Sequence, residues 1–318
     1  MKYIRFQQIA PVIKPSLVLI TLFCLSTLSF SCTPTTNNNS GNNTEAKTET
    51  HKNQLLEIAV NPWQSAKEQD EKFAPLTAYL QEKIQRPVKF EVTKNYQTAV
   101  DLLVKEEVDM GYLGALSYIK CHERNPNIQP LVMPIDQKTG RPWYTGVIVT
   151  KSDPKINSLA DLKGKRFAFV SPSSTSGFLM PMMGLKEQNI DPNKDFTKIL
   201  YSGSHDKTEA DLVKGVVDAI AVDKISFLRS QETGKLPATK YKIIWESPPI
   251  PMASIVINTK KFSSEELSLI RQVLIDAPVG ILDVSGSASA GYTLAKDTDF
   301  DTIRQIYTQF KLVQIPAK

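Results

Sequence analysis

One short segment of the chain concentrates hydroxyl side chains at the start of a predicted helix. Residues 172–177 read Pro-Ser-Ser-Thr-Ser-Gly, directly after a predicted strand and at the beginning of a helical run over 174–188. The first N–H groups of a helix lack intrahelical partners and carry partial positive charge, so hydroxyls placed there favour an anion. Capping the helix needs only one hydroxyl. The candidate donors to an oxyanion are therefore the hydroxyls of Ser174, Thr175 and Ser176.

A histidine occupies the corresponding place in the next strand–helix unit. Residues 201–206 read Tyr-Ser-Gly-Ser-His-Asp, where a predicted strand ends and a helix begins. Carboxyl ends of parallel strands lie at one edge of a sheet, so His205 is expected to face the same crevice as the serines. A neutral imidazole can donate one hydrogen bond, although a single histidine can equally be structural. Cys121 and His122 have no further ligands in a metal-binding pattern, and we expect no metal and no cofactor.

The order of the predicted elements indicates two α/β lobes. Strand, helix, strand, helix, strand is the signature of a parallel sheet, and it occurs twice, on either side of two extended runs near residues 128–150. No internal repeat is visible, which excludes a solenoid. We expect each lobe to be a mainly parallel sheet flanked by helices, with two crossover segments joining lobe 1 over 54–145 and 248–318 to lobe 2 over 146–247.

The beginning of the chain has the features of an export signal. Basic residues precede an apolar run over 17–25, and a small residue then stands before Cys32. The run is about half the ~20 residues of a spanning helix, so it predicts a cleaved leader. An ordinary signal peptide with an incidental cysteine is the alternative. We predict a signal peptide over 1–31, then a lipidated Cys32 and a flexible tether over 32–53, whose polar composition cannot form a core.

Composition and charge exclude some classes of partner. The 318 residues are 41% hydrophobic and 22% charged, which is ordinary for a globular protein and sufficient for two lobes. The formal charge is +5, but Lys2, Arg5 and Lys14 lie in the predicted leader, so the remaining chain is closer to neutral. A surface so close to neutral does not favour nucleic acid.

Taken together, these segments occur in the order and spacing of a known family. The chain resembles the phosphonate/phosphite/phosphate substrate-binding proteins of ABC importers over about residues 55–280. The segments that carry the resemblance are Asn95-Tyr96, Asp109-Met110-Gly111-Tyr112-Leu113-Gly114, Asp161-Leu162-Lys163-Gly164-Lys165, Ser174-Thr175-Ser176-Gly177, Gly203-Ser204-His205 and Ser247-Pro248-Pro249-Ile250-Pro251. The resemblance implies a type II periplasmic binding protein that works with a permease and an ATPase. It also implies a monomer on the periplasmic side of the inner membrane, held there by its lipid anchor alone.

The same resemblance implies roles for individual side chains around a phosphorus oxyanion between the lobes. Positions matching the three hydroxyl residues and His205 bind the oxyanion from lobe 2, and a tyrosine matching Tyr96 binds it from lobe 1. The crossover normally offers another tyrosine. Trp143 takes that place here, with Tyr144 beside it as the alternative donor. Asp223 ends a predicted strand near the cleft, where it could accept a P–OH proton or simply cap a helix.

Two further positions bear on the ligand. Family members that bind aminoalkylphosphonates hold the ammonium with acidic side chains, and the corresponding positions here are Ile225 and Ala253. A buried ammonium without a counter-charge is strongly unfavourable. We therefore expect a ligand without an amine, which means phosphite, phosphate or a small alkylphosphonate such as methylphosphonate.

Two other functions remain open on the sequence. A binding protein of the same fold could take thiamine phosphate, a sulfonate or sulfate. A hydrolase could use a serine of 174–176 as nucleophile and His205 as base. No Gly-x-Ser-x-Gly elbow is present and no carboxylate is evident to orient His205, so we expect a binding protein and not an enzyme.

Overall fold

The computed structural model of the chain describes residues 54–153 and 155–314. The predicted signal peptide over 1–31, the lipidated Cys32 and the tether over 32–53 lie outside the described residues. Within the described part of the chain, no helix combines the length and apolar character that a membrane crossing requires.

Thirteen strands and nine α-helices make up the described part of the chain. The strands are β1 Leu56–Val60, β2 Val88–Val92, β3 Met110–Leu113, β4 Ile128–Asp136, β5 Trp143–Tyr144, β6 Gly146–Lys151, β7 Arg166–Phe169, β8 Lys198–Tyr201, β9 Ala219–Asp223, β10 Tyr241–Glu246, β11 Ile250–Pro251, β12 Ser254–Asn258 and β13 Ser289–Leu294. The helices are α1 Ala66–Ile84, α2 Tyr96–Val104, α3 Ala115–Arg124, α4 Met180–Glu187, α5 Pro192–Asp195, α6 His205–Val213, α7 Lys224–Glu232, α8 Ser264–Ile275 and α9 Asp301–Gln314. Short 3-10 turns occur at Ala160–Leu162, Thr259–Lys261 and Asp297–Phe300, and a π-helical turn, Thr175–Leu179, precedes α4.

Two sheets form the two lobes. The sheet of lobe 1 has the order β13-β4-β12-β3-β1-β2, and the sheet of lobe 2 has the order β10-β6-β9-β7-β8. The chain passes between them twice, at β5 and at β11, and these two short strands pair antiparallel with each other. The predicted two-lobed α/β fold is therefore confirmed. The proposed lobe bounds at 145/146 and 247/248 stay a prediction, and the membership of each strand supports them.

The sheets are mixed, which corrects the expectation that they are mainly parallel. In lobe 1, β1 is parallel to β2 and β3, whereas β12 is antiparallel to β3 and β4. In lobe 2, β7 is parallel to β8 and β9, whereas β6 is antiparallel to β9 and β10. The antiparallel strands β6 and β12 enter their sheets directly from the crossover pair. They follow no helical connection of the kind that parallel neighbours in one sheet require.

The first helix starts earlier than its apolar pattern indicates. In the sequence, the spacing of Phe73, Leu76, Leu80 and Ile84 predicts a helix over 73–84 with one apolar face. The helix α1 begins at Ala66, where the Ser65 hydroxyl accepts a hydrogen bond from the Glu68 N–H at 3.4 Å. The apolar face is present, because Phe73, Leu76 and Leu80 are buried against the first sheet. Burial of each such side chain stabilises the fold by roughly 1.5–3 kcal/mol.

Candidate functional site

The hydroxyl segment forms a tight turn at the end of β7. Ser174 caps the π-helical turn, with its Oγ accepting a hydrogen bond from the Gly177 N–H at 3.0 Å. The Val170 N–H donates to the Gly177 carbonyl at 3.0 Å, which ties the turn to the strand. A Cβ at Gly177 would lie 2.4 Å from Val170 Cγ2. Close packing against Val170 therefore requires a glycine at position 177.

The N-terminal part of α3, which belongs to lobe 1, contacts this turn directly. The Leu116 N–H donates to Thr175 Oγ1 at 2.9 Å, so the Thr175 hydroxyl keeps its own proton for another acceptor. Two side chains of α3 bond to the two residues before the turn. These are Ser117 Oγ to the Ser173 carbonyl at 3.0 Å, and Lys120 Nζ to the Pro172 carbonyl and to Ser173 Oγ, both at 2.9 Å. In the described conformation, these hydrogen bonds therefore link the two lobes at the serine turn.

His205 is the first residue of α6 and is buried at the junction of the lobes. Its backbone N–H donates to the Trp63 backbone carbonyl at 3.1 Å, and its ring stacks on the Trp63 indole with the ring centroids 5.0 Å apart. Nδ1 accepts a hydrogen bond from the Asp223 backbone N–H at 3.2 Å, and it lies 3.1 Å from Asp223 Oδ2. With Nδ1 as an acceptor, the neutral ring carries its proton on Nε2. Burial lowers the pKa of His205, and the charge of Asp223 opposes this shift. Nε2 is buried and has no protein partner among the described residues, so it is free for a ligand.

Asp223 acts as a helix cap and also joins the lobes. Its Oδ1 accepts from the Ser226 N–H at 2.7 Å at the start of α7, and its Oδ2 accepts from Trp63 Nε1 at 3.0 Å. The capping alternative is thus what the structure displays, whereas a contact from Asp223 to ligand stays a prediction. Trp63 was missed by the sequence analysis. Its signal was the segment Asn61-Pro62-Trp63 directly after β1, where a strand of a central parallel pair ends at the sheet edge.

The two tyrosines bring hydroxyls to the cleft from α2 and from the crossover. Tyr96 is 1% exposed, and its hydroxyl has no hydrogen bond among the described residues. Burial raises its pKa well above the ordinary value, so it is a neutral donor. Tyr144 Oη lies 3.4 Å from Ser176 Oγ. The other crossover candidate is Trp143, whose ring centroid lies 4.6 Å from the Arg141 guanidinium carbon. Trp143 and Tyr144 point to opposite faces because they are successive residues of one strand.

The candidate donors have only neutral groups as hydrogen-bond partners. Within the described ranges, no lysine or arginine hydrogen-bonds to Tyr96, His205 or the hydroxyls of 174–176, and no three histidine, cysteine or acidic side chains are grouped as metal ligands. Hydroxyls, an imidazole and helix N-termini can surround a tetrahedral anion without a metal. The lobes contribute to it from both sides of one buried junction.

A family model described as the periplasmic substrate-binding protein of phosphonate ABC transporters matches residues 58–300. The chain belongs to this family. As a member, it is the substrate-binding component of an ABC transporter for phosphonate, phosphite or phosphate. Such components bind and deliver and do not catalyse a reaction, which contradicts the Ser/His hydrolase alternative.

Individual relatives agree with this assignment. The chain is 24% identical to the phosphate-import protein PhnD of Mycolicibacterium smegmatis over 273 residues, covering 80% of this chain and 85% of the relative. It is 27% identical over 202 residues to a protein of Prochlorococcus marinus named "Probable ABC transporter phosphite binding protein PhnD1", covering 61% and 66% of the two chains. The solved structure of Prochlorococcus marinus PhnD1 in complex with methylphosphonate superposes with a TM-score of 0.73 at 23% identity, covering 81% and 98%.

The two positions at which we expect no counter-charge for an ammonium are apolar. Ile225 is partly buried in the first turn of α7 and Ala253 is 4% exposed before β12, so neither position offers a carboxylate.

One buried acid was not found from the sequence. Asp283 is 2% exposed in the loop before β13, where Oδ1 accepts from the N–H groups of Ser285 at 2.9 Å and Ser287 at 3.0 Å. Burial raises its pKa to about 6, against these hydrogen bonds and with a further contribution from the charge of Asp223. No motif marks this loop, because an aspartate among serines and glycines is typical of any turn.

Proposed function

We propose that this family member captures a small phosphorus oxyanion without an amine, either phosphite, methylphosphonate or phosphate. The observation that carries the proposal is a pair of buried donors from opposite lobes, Tyr96 Oη and His205 Nε2, neither of which has a partner among the described residues. A buried polar group without a partner is costly, so such groups in a native protein require an explanation. An oxyanion held between the two donors supplies one.

The hydroxyl turn gives the remaining donors of the proposed site. Ser174, Thr175 and Ser176 are buried at the start of a helix, and their oxygens already accept or share one hydrogen bond each while their protons remain available. Charge-assisted hydrogen bonds to an oxyanion are about twice as strong as neutral ones. Because donors come from both lobes, ligand favours the closed arrangement, and the importer would recognise that arrangement.

The relatives support the ligand class without ranking its members. The relatives are named for phosphate import and phosphite binding, and one was solved in complex with methylphosphonate. All three ligands are tetrahedral, carry no amine and differ in one substituent on phosphorus. The apolar side chains at Ile225 and Ala253 fit this class, since neither could neutralise an ammonium.

Attachment and partners complete the proposal. A leader over 1–31 would export the chain, and lipidation at Cys32 with a tether over 32–53 would hold it at the periplasmic side of the inner membrane. There a permease and an ATPase would receive the ligand from a monomeric binding protein. Labelled fatty-acid incorporation that is abolished by Cys32→Ala would support the anchor, and its persistence in that variant would contradict it.

Calorimetric titration of the full chain in mild detergent tests the ligand class. We expect phosphite, methylphosphonate or phosphate to bind with a Kd of about 1 μM or below, and aminoethylphosphonate to bind at least about tenfold more weakly. The double variant Thr175→Ala/Ser176→Ala should lose about 10²-fold or more in affinity. Ser268→Ala, in which an exposed hydroxyl bonded only to the Ser264 carbonyl is removed from α8, is the matched control. Intact affinity in the double variant would contradict the proposed site.

A further inference from the structure

Trp63 contacts both buried donors of the proposed site. It follows β1 in lobe 1, and its indole stacks on the His205 ring with the ring centroids 5.0 Å apart. The same indole lies beside the Tyr96 ring, with the centroids 6.4 Å apart and the planes inclined by 40°. Trp63 is 4% exposed, so its N–H group needs a partner inside the protein. That partner is Asp223 Oδ2 of lobe 2, at 3.0 Å.

The polar atoms around Trp63, His205 and Asp223 are matched donor to acceptor. The Asp223 backbone N–H donates to His205 Nδ1 at 3.2 Å, and the Trp63 Nε1–H donates to Asp223 Oδ2 at 3.0 Å. Asp223 Oδ1 accepts from the Ser226 backbone N–H at 2.7 Å. A neutral imidazole carries one proton, so a ring whose Nδ1 accepts a hydrogen bond carries that proton on Nε2. His205 therefore offers Nε2–H to a ligand, which is the form that an oxyanion requires.

Asp223 Oδ2 is the atom that could reverse this tautomer. It lies 3.1 Å from His205 Nδ1, within reach of a proton on that nitrogen. A bond from Nδ1–H to the carboxylate would be about twice as strong as the neutral bond that the Asp223 N–H makes. The ring would then turn an unprotonated Nε2 toward the ligand, where its lone pair repels an oxyanion. The Trp63 N–H opposes this change, because it already donates to Oδ2 and lowers what the carboxylate gains from a second donor.

We infer that Trp63 is a positioning residue for the oxyanion site, because its indole N–H fixes the His205 tautomer whose Nε2–H donates to the ligand. The inference rests on the proposed function and goes beyond it, since it requires no contact between Trp63 and the ligand. The indole acts through Asp223 and His205 alone. Its N–H group, and not only the space that its rings fill, should therefore matter for affinity.

The charge of His205 depends on a small set of neighbours in the described chain. Burial is the largest influence on the pKa of His205 and lowers it, so the wild-type ring is neutral at about pH 7 and above. The charged groups that act on this pKa are Asp223 at the end of β9, Asp206 on the same helix and Arg229 on α7. Farther along that helix, Glu209 pairs with Lys235 at 3.0 Å. Tyr96 on α2 stays neutral, because burial raises its pKa well above the ordinary value.

Nuclear magnetic resonance of protein with isotope-labelled histidine measures the tautomer directly. The chain has three histidines, and a His205→Gln sample identifies the ring nitrogen signals of His205. In the ligand-free full chain in mild detergent at about pH 8, we expect the wild type to have a protonated Nε2 and an unprotonated Nδ1. Trp63→Phe keeps an aromatic ring for the stack but lacks the N–H donor. In this variant we expect at least about half of the molecules to carry the proton on Nδ1.

Calorimetric titration with phosphite and methylphosphonate measures the consequence for binding. Trp63→Phe should bind both ligands about tenfold more weakly than the wild type at about pH 8. Without the indole N–H, the charge of Asp223 acts more strongly on His205 and raises its pKa. The ratio of the two Kd values should therefore fall at least about threefold at about pH 6, because an imidazolium again has a proton on Nε2. The ionisation of the ligand is the same for both proteins and cancels in this ratio.

A second substitution tests the cause of the loss. Asp223→Asn places an amide N–H at the position of Oδ2, where it donates to His205 Nδ1, while the amide oxygen still caps α7. Trp63→Phe/Asp223→Asn should therefore bind the oxyanion at least about threefold more tightly than Trp63→Phe alone. Trp245→Phe is the matched control, because it removes another indole N–H, on β10 against the core of lobe 2, and should keep the wild-type affinity.

The outcomes separate this inference from the proposed function. A Trp63→Phe protein that keeps the proton on Nε2, or that binds as tightly as Trp245→Phe, would overturn the inference and leave the proposed function intact. A loss of affinity that is equal at both pH values and is not reduced by Asp223→Asn would overturn it as well, because the indole would then act only by filling space. Absence of binding of every oxyanion by the wild type would overturn the proposed function together with this inference.

Discussion

At the scale of single residues, the proposed site depends on a hydroxyl that has no hydrogen-bond partner in the described protein. Tyr96 Oη is fully buried and makes no hydrogen bond in the described chain. Tyr118, by contrast, is equally buried but donates to Asp297 Oδ1 at 2.6 Å. The two tyrosines therefore separate a proposed ligand contact from a structural one. Removal of the first hydroxyl relieves an unsatisfied group, and removal of the second leaves a carboxylate with one fewer donor.

We predict that Tyr96→Phe lowers oxyanion affinity about tenfold while leaving the free energy of unfolding equal or slightly higher. Tyr118→Phe should do the reverse, with a loss of about 1–2 kcal/mol in stability and unchanged affinity. Titration calorimetry gives the affinities and urea denaturation of the ligand-free protein gives the stabilities. If Tyr96→Phe bound phosphite and methylphosphonate as tightly as the wild type, the hydroxyl would not contact the ligand.

At the scale of secondary-structure elements, the position of the serine turn depends on a glycine from another strand. Gly146 begins β6, and a Cβ there would lie 3.0 Å from the Cα and the carbonyl oxygen of Ser176. Since the close atoms belong to backbone, the turn itself must move to admit a methyl group. Gly111 on β3 offers a matched clash, because its Cβ would lie 2.5 Å from the flexible Leu103 side chain in the core of lobe 1.

Gly146→Ala is expected to displace the hydroxyls of the turn by a few tenths of an ångström and to weaken oxyanion binding about tenfold or more. Gly111→Ala should lower stability by about 1–3 kcal/mol through overpacking and leave the affinity of the folded protein close to that of the wild type. A crystal structure of Gly146→Ala with ligand would show the shift. Equal affinity in Gly146→Ala and the wild type would mean that the turn does not need this close contact.

The candidate donors of the proposed site follow from local sequence patterns, whereas the contacts that hold them do not. The patterns are hydroxyls at a helix start and a histidine at the next strand end, and the structure places these residues at one junction of the lobes, while their contact with ligand stays a prediction. Trp63 was not found from the sequence because its hydrogen bond to Asp223 joins residues that lie 160 positions apart in the chain. Asp283 was not found because it lies in a loop without regular structure. The crossover candidates needed the strand pairing of β5, since alternation alone does not tell which of Trp143 and Tyr144 faces inward.

At the scale of the whole molecule, we expect the closed arrangement of the two lobes to be stabilised also by hydrogen bonds between the lobes that do not involve the ligand. Lys120 of α3 reaches across to the Pro172 carbonyl and Ser173 Oγ at 2.9 Å, next to the turn that is proposed to bind the oxyanion. Burial lowers the pKa of Lys120, and its ammonium also lies 5.6 Å from the Tyr307 ring centroid. These bonds form only when the lobes meet, so they stabilise the closed state relative to the open one. A binding protein whose closed state is less populated binds its ligand less tightly by the same factor.

We predict that Lys120→Met lowers oxyanion affinity about three- to tenfold, although the side chain does not reach the ligand, because methionine keeps the apolar stem but removes both bonds across the junction. Lys311→Met is the matched control, since Lys311 lies 4.4 Å from the same Tyr307 ring and pairs with Glu123 at 2.9 Å on α3, without bonding to lobe 2. Small-angle X-ray scattering of ligand-free Lys120→Met should give a larger radius of gyration than that of the wild type, and saturating ligand should restore the wild-type value. The prediction would be contradicted if Lys120→Met and Lys311→Met bound the oxyanion equally tightly and the two ligand-free proteins had the same radius of gyration. In that case the remaining contacts between the lobes would suffice for closure without Lys120. Those contacts include the hydrogen bond between Leu116 and Thr175 and the stack of Trp63 on His205.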